Sequence, residues 1–331
     1  MYAITTSSGK SFGARLDESL LDAALRQQVV LGYSCRTGRC SSCKGFVLTG
    51  ETTAVRDELG LSADERAQGY ILTCVRRASG PVHLQIDDLG DVALPEAKTL
   101  PCRIHTIDKL APDVLRVVLR LPPASPLRFL PGQYIDVIGA AGLRRSYSLA
   151  NAPRADGLLE LHVREVADGA MSRYWFHEAK SNDLLRLRGP LGTFFLRRAP
   201  GKHLVFLATG TGIAPVKSII ESLPGLGPEI SPLSVTVVWG GRLVEDLYWQ
   251  PPSELAFVRW VPVLSRADAR WPGARGHVQN TLLAERPDLA NTLVYACGSD
   301  AMIHSASAQL QSAGLPAVQF HSDAFVCSAD H

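Results

Sequence analysis

The stretch Ser34–Cys43, SCRTGRCSSC, places three cysteines within nine residues, and a fourth follows in the segment ILTCVRR. The chain of 331 residues has seven cysteines in all. Its first residues, MYAITTSSGKSFGARLDE, have no apolar run behind a basic start that would mark a secretory signal. An odd number of cysteines without such a signal disfavours a disulfide framework, so we expect the crowded thiols to be reduced or bound to metal.

The spacing C-x4-C-x2-C with a distant fourth cysteine is the ligand spacing of a plant-type 2Fe-2S cluster. The predicted iron ligands are Cys35, Cys40, Cys43 and Cys74. Backbone N–H groups must turn toward the sulfides, which requires small residues in the loop, and the loop contains Gly38, Ser41 and Ser42. The alternatives are unliganded core cysteines or a structural zinc site, but zinc sites usually combine two C-x2–4-C pairs, whereas one lone thiol follows here.

The composition describes a soluble multidomain protein. With 331 residues the chain exceeds the usual size of one core, and its 46% hydrophobic and 20% charged residues suit packed domains. A net charge of +2 without any block of basic residues gives no indication of nucleic-acid binding. Since no apolar stretch approaches the roughly 18–20 residues that span a bilayer, we expect no membrane partner and a cytoplasmic protein.

Residues 1–93 resemble plant-type ferredoxin domains. Around the cysteine loop, FGARLDESLLDAALRQQ predicts a helix with Asp17 as N-cap, while GFVLTG and VHLQI alternate like strands. The resemblance implies an α+β, ferredoxin-like β-grasp fold. The region departs from free plant ferredoxins, which are strongly acidic, because it carries ten basic and eleven acidic residues. Two interpretations stay open for the basic residues near the cysteines, an acidic partner or plain solvation: Arg36, Arg39, Lys44, Arg76 and Arg77.

After a predicted linker at residues 94–100, regularly spaced strands predict an antiparallel β-barrel over residues 101–199. Within it, RRSYSLAN and the upstream PGQY resemble the flavin-binding segment of ferredoxin-NADP reductase-like flavoproteins. The guanidinium of Arg145 can pair with a flavin phosphate, Tyr147 offers a flat face to the ring, and Ser148 can hydrogen-bond near flavin N5. The motif also includes Asn151 among the expected flavin-binding residues.

A second segment, DGAMSRYW, contains the G-x-x-S that opens a helix in this family. The resemblance implies that Gly169 and Ser172 approach the pyrophosphate of a bound flavin, which favours FAD over FMN. His162 and Arg164 in HVREV also match the family, and His162 is interpreted as a polar residue on an exposed strand face.

In residues 200–331, strand-like and helix-like segments alternate, which predicts an open parallel α/β sheet that binds a nicotinamide dinucleotide. GTGIAP follows the first of these strands and resembles the G-[TG]-G-x-x-P of the reductase family rather than the Rossmann fingerprint. Its backbone can approach a dinucleotide phosphate where the helix begins. The residues concerned are Gly210, Thr211, Gly212 and Pro215.

Two further matches concern the nicotinamide itself. Cys297 and Gly298 in YACGSDAM resemble the family's C-G pair, in which the cysteine lies by nicotinamide C4. The ending HSDAFV resembles the acid-x-aromatic terminus of plant-type reductases, so Asp323 and Phe325 are expected beside the flavin. The predicted catalytic residues are therefore Ser148, Cys297 and Asp323.

The order ferredoxin, flavin, nicotinamide covers the whole chain and predicts an oxidoreductase that passes electrons to a separate acceptor protein. A hydride carries two electrons and the cluster accepts one, so a flavin must stand between them. The sequence is most similar to CDP-6-deoxy-delta-3,4-glucoseen reductases, through LLDAAL, GQYIDVI, RRSYSLANAP, GIAPVKS, YACGS and SDAFV. That resemblance implies electron transfer from NADH to a pyridoxamine-phosphate-dependent dehydrase of deoxysugar synthesis.

Two alternatives stay open for the function and one for the donor. Reductase components of multicomponent oxygenases share most of these motifs, and a redox sensor or binding module could hold the same cofactors without turnover. The pair Ser265-Arg266 in LSRAD can hold the 2′-phosphate of NADPH, yet similar pairs occur in NADH-using relatives. We expect NADH as the donor.

Overall fold

The computed structural model describes residues 1–90, 92–139 and 142–325. The strands are β1 Tyr2–Thr6, β2 Ser11–Ala14, β3 Lys44–Thr49, β4 Thr52–Ala54, β5 Tyr70–Leu72, β6 Arg76–Ala78, β7 Val82–Gln85, β8 Lys98–Ala111, β9 Val114–Arg120, β10 Tyr134–Ile138, β11 Arg144–Ser148, β12 Leu159–Arg164, β13 Leu184–Leu191, β14 His203–Thr209, β15 Ser234–Gly241, β16 Val258–Leu264, β17 Ala274–Arg275, β18 Thr292–Gly298 and β19 Phe320–Ala324. The α-helices are α1 Leu20–Arg26, α2 Ala63–Gln68, α3 Ala170–Arg173, α4 Ile213–Ser222, α5 Val278–Ala284 and α6 Asp300–Ser312. Two compact units result, Met1–Leu94 with the residues from Asp323 onward, and Pro95–Ser322.

The first unit contains a five-stranded sheet in the order β2-β1-β7-β3-β5, with β1 parallel to β7 and the other pairs antiparallel. Helix α1 buries Leu20, Leu21, Ala23 and Ala24. Its N-cap differs from the prediction. Ser19, not Asp17, caps the helix by accepting a hydrogen bond from the N–H of Asp22, because the helix begins only at Leu20.

The second unit begins with an antiparallel sheet in the order β11-β10-β13-β8-β9-β12. A bridge between Leu149 and Leu161 joins the two outer strands, so the sheet closes on itself as a barrel. Strand β8 begins at Lys98, inside the segment expected as linker, because Lys98 pairs with Gly189 on β13. The barrel core includes the fully buried Trp175.

The rest of the second unit is built on a sheet in which β17, β16, β15, β14 and β18 pair in parallel in that order. Strand β14 is apolar along most of its length, which is typical of a strand covered on both faces. Helix α4 follows it after a 3₁₀ turn at Gly210–Gly212. The carboxyl ends of β14 and β18 therefore lie side by side, where ligands of such sheets bind.

Among the described residues, no helix is both long enough and apolar enough to cross a membrane.

Candidate functional site

The four predicted iron ligands lie together in the first unit as two thiol pairs. The thiol of Cys35 contacts that of Cys40, and Cys43 contacts Cys74. Contact with the Cys40 thiol lowers the pKa of Cys35 to about 5, while the Cys74 thiol together with burial raises the pKa of Cys43. In the described part of the chain, no three His, Cys, Asp or Glu side chains meet at one point as ligands of a single ion.

Backbone N–H groups point at these sulfurs, as the chemistry of a cluster requires. The N–H of Cys35 donates to Sγ of Cys40 at 3.3 Å, and the N–H of Thr37 donates to Sγ of Cys35 at 3.4 Å. The loop turns through Gly38 at φ +77°, where an added Cβ would lie 2.5 Å from the Asp57 carbonyl oxygen. Paired thiols with N–H donors at the sulfur fit a cluster of two irons.

Several basic residues near the cysteines have acidic partners within the first unit. Arg36 pairs with Asp22, and Lys44 lies 2.8 Å from Glu65. Glu58 is buried beneath the loop and accepts hydrogen bonds from the Arg76 guanidinium at 2.7 and 3.1 Å. These ion pairs within the unit support the second interpretation of the basic residues, in which they have no acidic partner protein.

The expected flavin-binding strand is β11, which pairs with β10 in antiparallel register. Tyr147 accepts a hydrogen bond from Nε1 of Trp175 at 2.9 Å, and the two rings meet edge to face at 6.2 Å. Burial raises the pKa of Tyr147 to about 12, so the phenol is neutral. Ser148 ends the strand and is buried, while the Arg145 guanidinium donates to the carbonyl of Arg144.

The other expected flavin residues occupy turns of the barrel. Gly169 precedes the single turn of α3, and Oγ of Ser172 accepts a hydrogen bond from the N–H of Val166 at 2.8 Å. The carboxamide of Asn151 donates to the carbonyls of Ala152 and Leu158 and accepts from the N–H of Glu160. Its three hydrogen bonds are all to backbone, so a flavin contact by Asn151 stays a prediction.

The residues expected at the dinucleotide come together at the carboxyl ends of β14 and β18. Gly210 adopts φ +54°, and its carbonyl accepts a hydrogen bond from Nε1 of Trp239 at 3.0 Å. A side chain at Gly212 would overlap the carbonyl of Cys297, and one at Gly298, where φ is +136°, would overlap Thr209. The other members of this group are Thr211, buried in the 3₁₀ turn, and Pro215, in the first turn of α4.

The C-terminal residues Asp323 and Phe325 belong to the first unit. The carboxylate of Asp323 is buried and accepts a hydrogen bond from the hydroxyl of Ser34, which precedes Cys35. Phe325 is exposed over 36% of its surface. Their expected place beside the flavin stays a prediction.

Comparison with known proteins agrees with this three-part arrangement. Three family models match in order: a 2Fe-2S iron-sulfur cluster binding domain over residues 5–79, an oxidoreductase FAD-binding domain over 101–196 and an oxidoreductase NAD-binding domain over 206–308. The CDP-6-deoxy-L-threo-D-glycero-4-hexulose-3-dehydrase reductase of Yersinia pestis is 40% identical over 97% of each chain. The chain belongs to the iron-sulfur flavoprotein reductases.

Two other relatives show how widely this reductase architecture is used. Reductase component 1 of the terephthalate 1,2-dioxygenase of Comamonas is 30% identical, over 94% of this chain and 93% of its own. The crystal structure of the Amycolatopsis cytochrome P450 reductase GcoB is also 30% identical, covers 99% of this chain and 100% of its own, and superimposes with a TM-score of 0.78.

The reductase is an oxidoreductase with three kinds of binding domain, for a 2Fe-2S cluster, FAD and a nicotinamide dinucleotide. When bound, FAD supplies the exchange between two-electron and one-electron transfer that neither of the other groups performs. The thiol pairs of the first unit fit the cluster by donor chemistry, and the glycine turns at β14 and β18 fit the close approach of a dinucleotide.

Sequence reasoning missed a polar network in the second unit of the reductase. His162, expected on an exposed strand face, is only 6% exposed and lies 3.0 Å from Glu160. The prediction was wrong because alternation along a strand identifies two faces but not which face another element covers. Lys217, the one charged residue in the helix segment IAPVKSII, is the signal that could have revealed the buried partner.

Proposed function

We propose that the reductase takes electrons from NADH and passes them through FAD and the 2Fe-2S cluster to a dehydrase of CDP-linked deoxysugar synthesis. The observation that carries this proposal is the 40% identity over 97% of both chains to a reductase named for such a dehydrase. One NADH gives NAD⁺, one proton and two electrons, and the electrons leave singly because the cluster accepts one at a time.

We assign the three steps to three regions. Residues 200–331 bind NADH at the Gly210–Gly212 turn, with Cys297 and Gly298 beside the nicotinamide. Residues 101–199 bind FAD through Arg145, Tyr147, Ser148 and the Gly169 turn. Residues 1–93 hold the cluster, and Asp323 joins this region through Ser34. The glycines at the ends of β14 and β18 lie in one unit and the thiol loop lies in the other. This separation supports the assignment of nucleotide binding and cluster binding to different regions.

NADH as the donor is proposed from the resemblance to the dehydrase reductases. Ser265 and Arg266, the pair that can hold a 2′-phosphate, are both exposed. The hydroxyl of Ser265 donates to the carbonyl of Gly241 at 3.3 Å, and the N–H of Arg266 donates to the carbonyl of Arg242 at 3.0 Å.

An anaerobic reconstitution tests the proposal. The purified chain is titrated with NADH and, separately, NADPH, while flavin absorbance and the EPR signal of the reduced cluster are followed. It is then mixed with the dehydrase served by the Yersinia relative and its CDP-deoxyhexulose substrate. We expect flavin bleaching by NADH at lower concentration than by NADPH, a 2Fe-2S EPR signal, and formation of the deoxygenated sugar.

Three outcomes would count against the proposal, each against a different part. Preference for NADPH would overturn the donor. Normal reduction by NADH without sugar product, together with turnover of an oxygenase component, would move the acceptor to the oxygenase class. Absence of any reduction by either nucleotide would favour the sensor or binding-module alternative.

A further inference from the structure

One face of β12 is polar although two of its three side chains are buried. Glu160, His162 and Arg164 alternate along the strand, so their side chains share a face, which we call the β12 polar face. Glu160 is 8% and His162 6% exposed. The strand belongs to the barrel, yet all three side chains contact residues that follow β14 in the same unit.

Each residue of the β12 polar face has its own partner. Oε1 of Glu160 lies 3.2 Å from Nζ of Lys217 on α4. Nδ1 of His162 lies 3.2 Å from the hydroxyl of Tyr248. The third partnership is weaker, since the Arg164 guanidinium lies 3.5 Å from Asp246 but 2.7 Å from Asp113 within the barrel.

Lys217 contacts the barrel at two points, the Ala150 carbonyl and the Glu160 carboxylate. Its ammonium donates to the carbonyl of Ala150 at 2.8 Å, besides the Glu160 carboxylate, and also lies 2.7 Å from Glu221 on its own helix. The residue is 8% exposed. A buried ammonium in this position is fully engaged by one carbonyl and two carboxylates.

Helix α4 also forms hydrogen bonds with the two barrel residues that follow Ala150. The hydroxyl of Ser218 donates to the carbonyl of Asn151 at 2.7 Å, and the N–H of Ala152 donates to Glu221 at 3.1 Å. Three successive residues, 150–152, are therefore fixed to α4. We call the contacts of α4 with residues 150–152 and Glu160 the α4 clasp.

The ends of the α4 clasp are the two binding segments of the proposed function. Residues 150–152 follow Ser148 at the end of the flavin strand, and α4 follows the Gly210–Gly212 turn directly. Hydride transfer requires reacting atoms about 3–3.5 Å apart, and a displacement of about 1 Å can lower the rate about 100-fold. The clasp spans the two segments whose spacing sets that distance.

We propose that Lys217 and Glu160 are positioning residues for hydride transfer, holding the nicotinamide-binding turn at a fixed spacing from the flavin-binding strand. This inference rests on the proposed transfer from NADH to FAD. Two apolar side chains at these positions could also be buried, but they would allow α4 to shift along the barrel. The charged pair makes three directional contacts, which are satisfied in only one arrangement of α4 and the barrel.

The surrounding groups keep the Glu160 carboxylate charged. Burial alone would raise the pKa of Glu160, but the hydrogen bond from His162 and the charge of Lys217 outweigh it and lower that pKa to about 2. Burial lowers the pKa of His162, so its ring is neutral. A neutral ring protonated on Nε2 donates to Glu160 and accepts the hydroxyl of Tyr248 at Nδ1.

The test compares Lys217→Met, Lys217→Arg and Glu160→Gln with the control Lys202→Met in the full holoenzyme. Lys202 also donates to a carbonyl and a side-chain oxygen, those of Ala290 and Gln319, but both lie outside the barrel. Rapid-mixing spectroscopy gives the limiting rate of flavin bleaching at saturating NADH. Hydrogen exchange at residues 150–152, flavin and iron content, and the affinity for NAD⁺ are measured in parallel.

We expect Lys217→Met to lower the limiting rate 10- to 100-fold and to speed exchange at residues 150–152, with iron content and NAD⁺ affinity within twofold of wild type. Glu160→Gln should lower the rate less, and Lys217→Arg should restore part of it. Lys202→Met should leave the rate unchanged. If Lys217→Met yields no folded protein, the limiting rate of Glu160→Gln is compared with those of the wild type and Lys202→Met instead.

A wild-type rate in both Lys217→Met and Glu160→Gln would overturn the positioning role. So would an equal loss in Lys202→Met, because the effect would then be general destabilisation. Failure of the wild-type chain to bleach with NADH would instead overturn the proposed function itself.

Discussion

Gly298 shows how a single residue at the dinucleotide site depends on its surroundings. Its φ of +136° disfavours any L side chain, and a Cβ would overlap the hydroxyl and backbone of Thr209. We expect Gly298→Ala to displace the end of β18 and weaken NAD⁺ binding about 5- to 150-fold, since overpacking costs typically 1–3 kcal/mol. Calorimetric titration with NAD⁺ measures the change.

Gly225 is the matched control for this substitution. It lies in the same unit, has no φ in the left-handed region, and would place a Cβ in open space. Gly225→Ala should bind NAD⁺ as the wild type does. Unaltered binding by Gly298→Ala would show that the strand ends are not where the dinucleotide is held.

Glu160 also predicts a response to acid. The folded chain holds its pKa at about 2 against an ordinary 4.5, so between these values the unfolded state binds more protons and stability falls as pH falls. A lowering of this size corresponds to about 3 kcal/mol, present above pH 4.5 and lost as pH falls toward 2. Urea unfolding of the second unit at pH 6 and pH 3 measures the part that is lost by pH 3, which is about 2 kcal/mol.

Glu160→Gln should lose less stability than the wild type between these two pH values, because the variant has no carboxylate to protonate there. Equal losses in the two proteins would contradict the low pKa of Glu160.

Among the elements, the loop that carries Cys74 is anchored by a buried ion pair. Glu58 is almost fully buried, accepts the N–H of Leu72, and pairs with Arg76 on β6. Removing one partner of a buried pair costs about 3–5 kcal/mol, because the other charge stays buried. We expect Arg76→Ala to lower the unfolding free energy of the first unit by that amount, measured by urea unfolding through cluster absorbance.

Lys44→Ala provides the comparison, because the Lys44–Glu65 pair is partly exposed and such pairs contribute about 1 kcal/mol or less. A cost for Arg76→Ala no larger than that for Lys44→Ala would mean that the Glu58 pair does not anchor the loop.

The elements were largely predictable from sequence, while their contacts were not. The barrel strands and the succession of strands and helices in the parallel sheet follow from the sequence pattern, and the cysteine spacing predicts the ligand loop. One boundary prediction was wrong for a local reason, because the helix starts later than expected and Ser19 rather than Asp17 caps it. Strand β8 begins at Lys98, within the predicted linker, because it pairs with β13. The β12 polar face escaped prediction because its burial depends on α4, some 50 residues away in sequence.

For the molecule as a whole, two units with separate cores predict separate responses to loss of the cluster. All five tryptophans lie from Trp175 onward, in the second unit, whereas the four ligand cysteines lie in the first. We expect Cys74→Ser to abolish the 2Fe-2S EPR signal and lower the melting temperature of the first unit. Flavin bleaching by NADH and the tryptophan-monitored transition should stay as in the wild type.

Two spectroscopic measurements distinguish local destabilisation of the first unit from destabilisation of the whole protein. Circular dichroism follows both units and tryptophan fluorescence follows only the second. A full EPR signal in Cys74→Ser would show that Cys74 is not the fourth ligand, and an equal shift of the tryptophan transition would show that the units do not unfold independently.

The internal pairing of Arg36, Lys44 and Arg76 has a consequence for how the acceptor finds the cluster. Free plant ferredoxins, as acidic proteins, are drawn to their reductases over long range, and that attraction weakens as ionic strength rises. Here each of these three cations already has an acidic neighbour within its own unit. Electron delivery to the acceptor should therefore change little between dilute buffer and several hundred millimolar sodium chloride, so that shape, rather than long-range attraction, selects the partner.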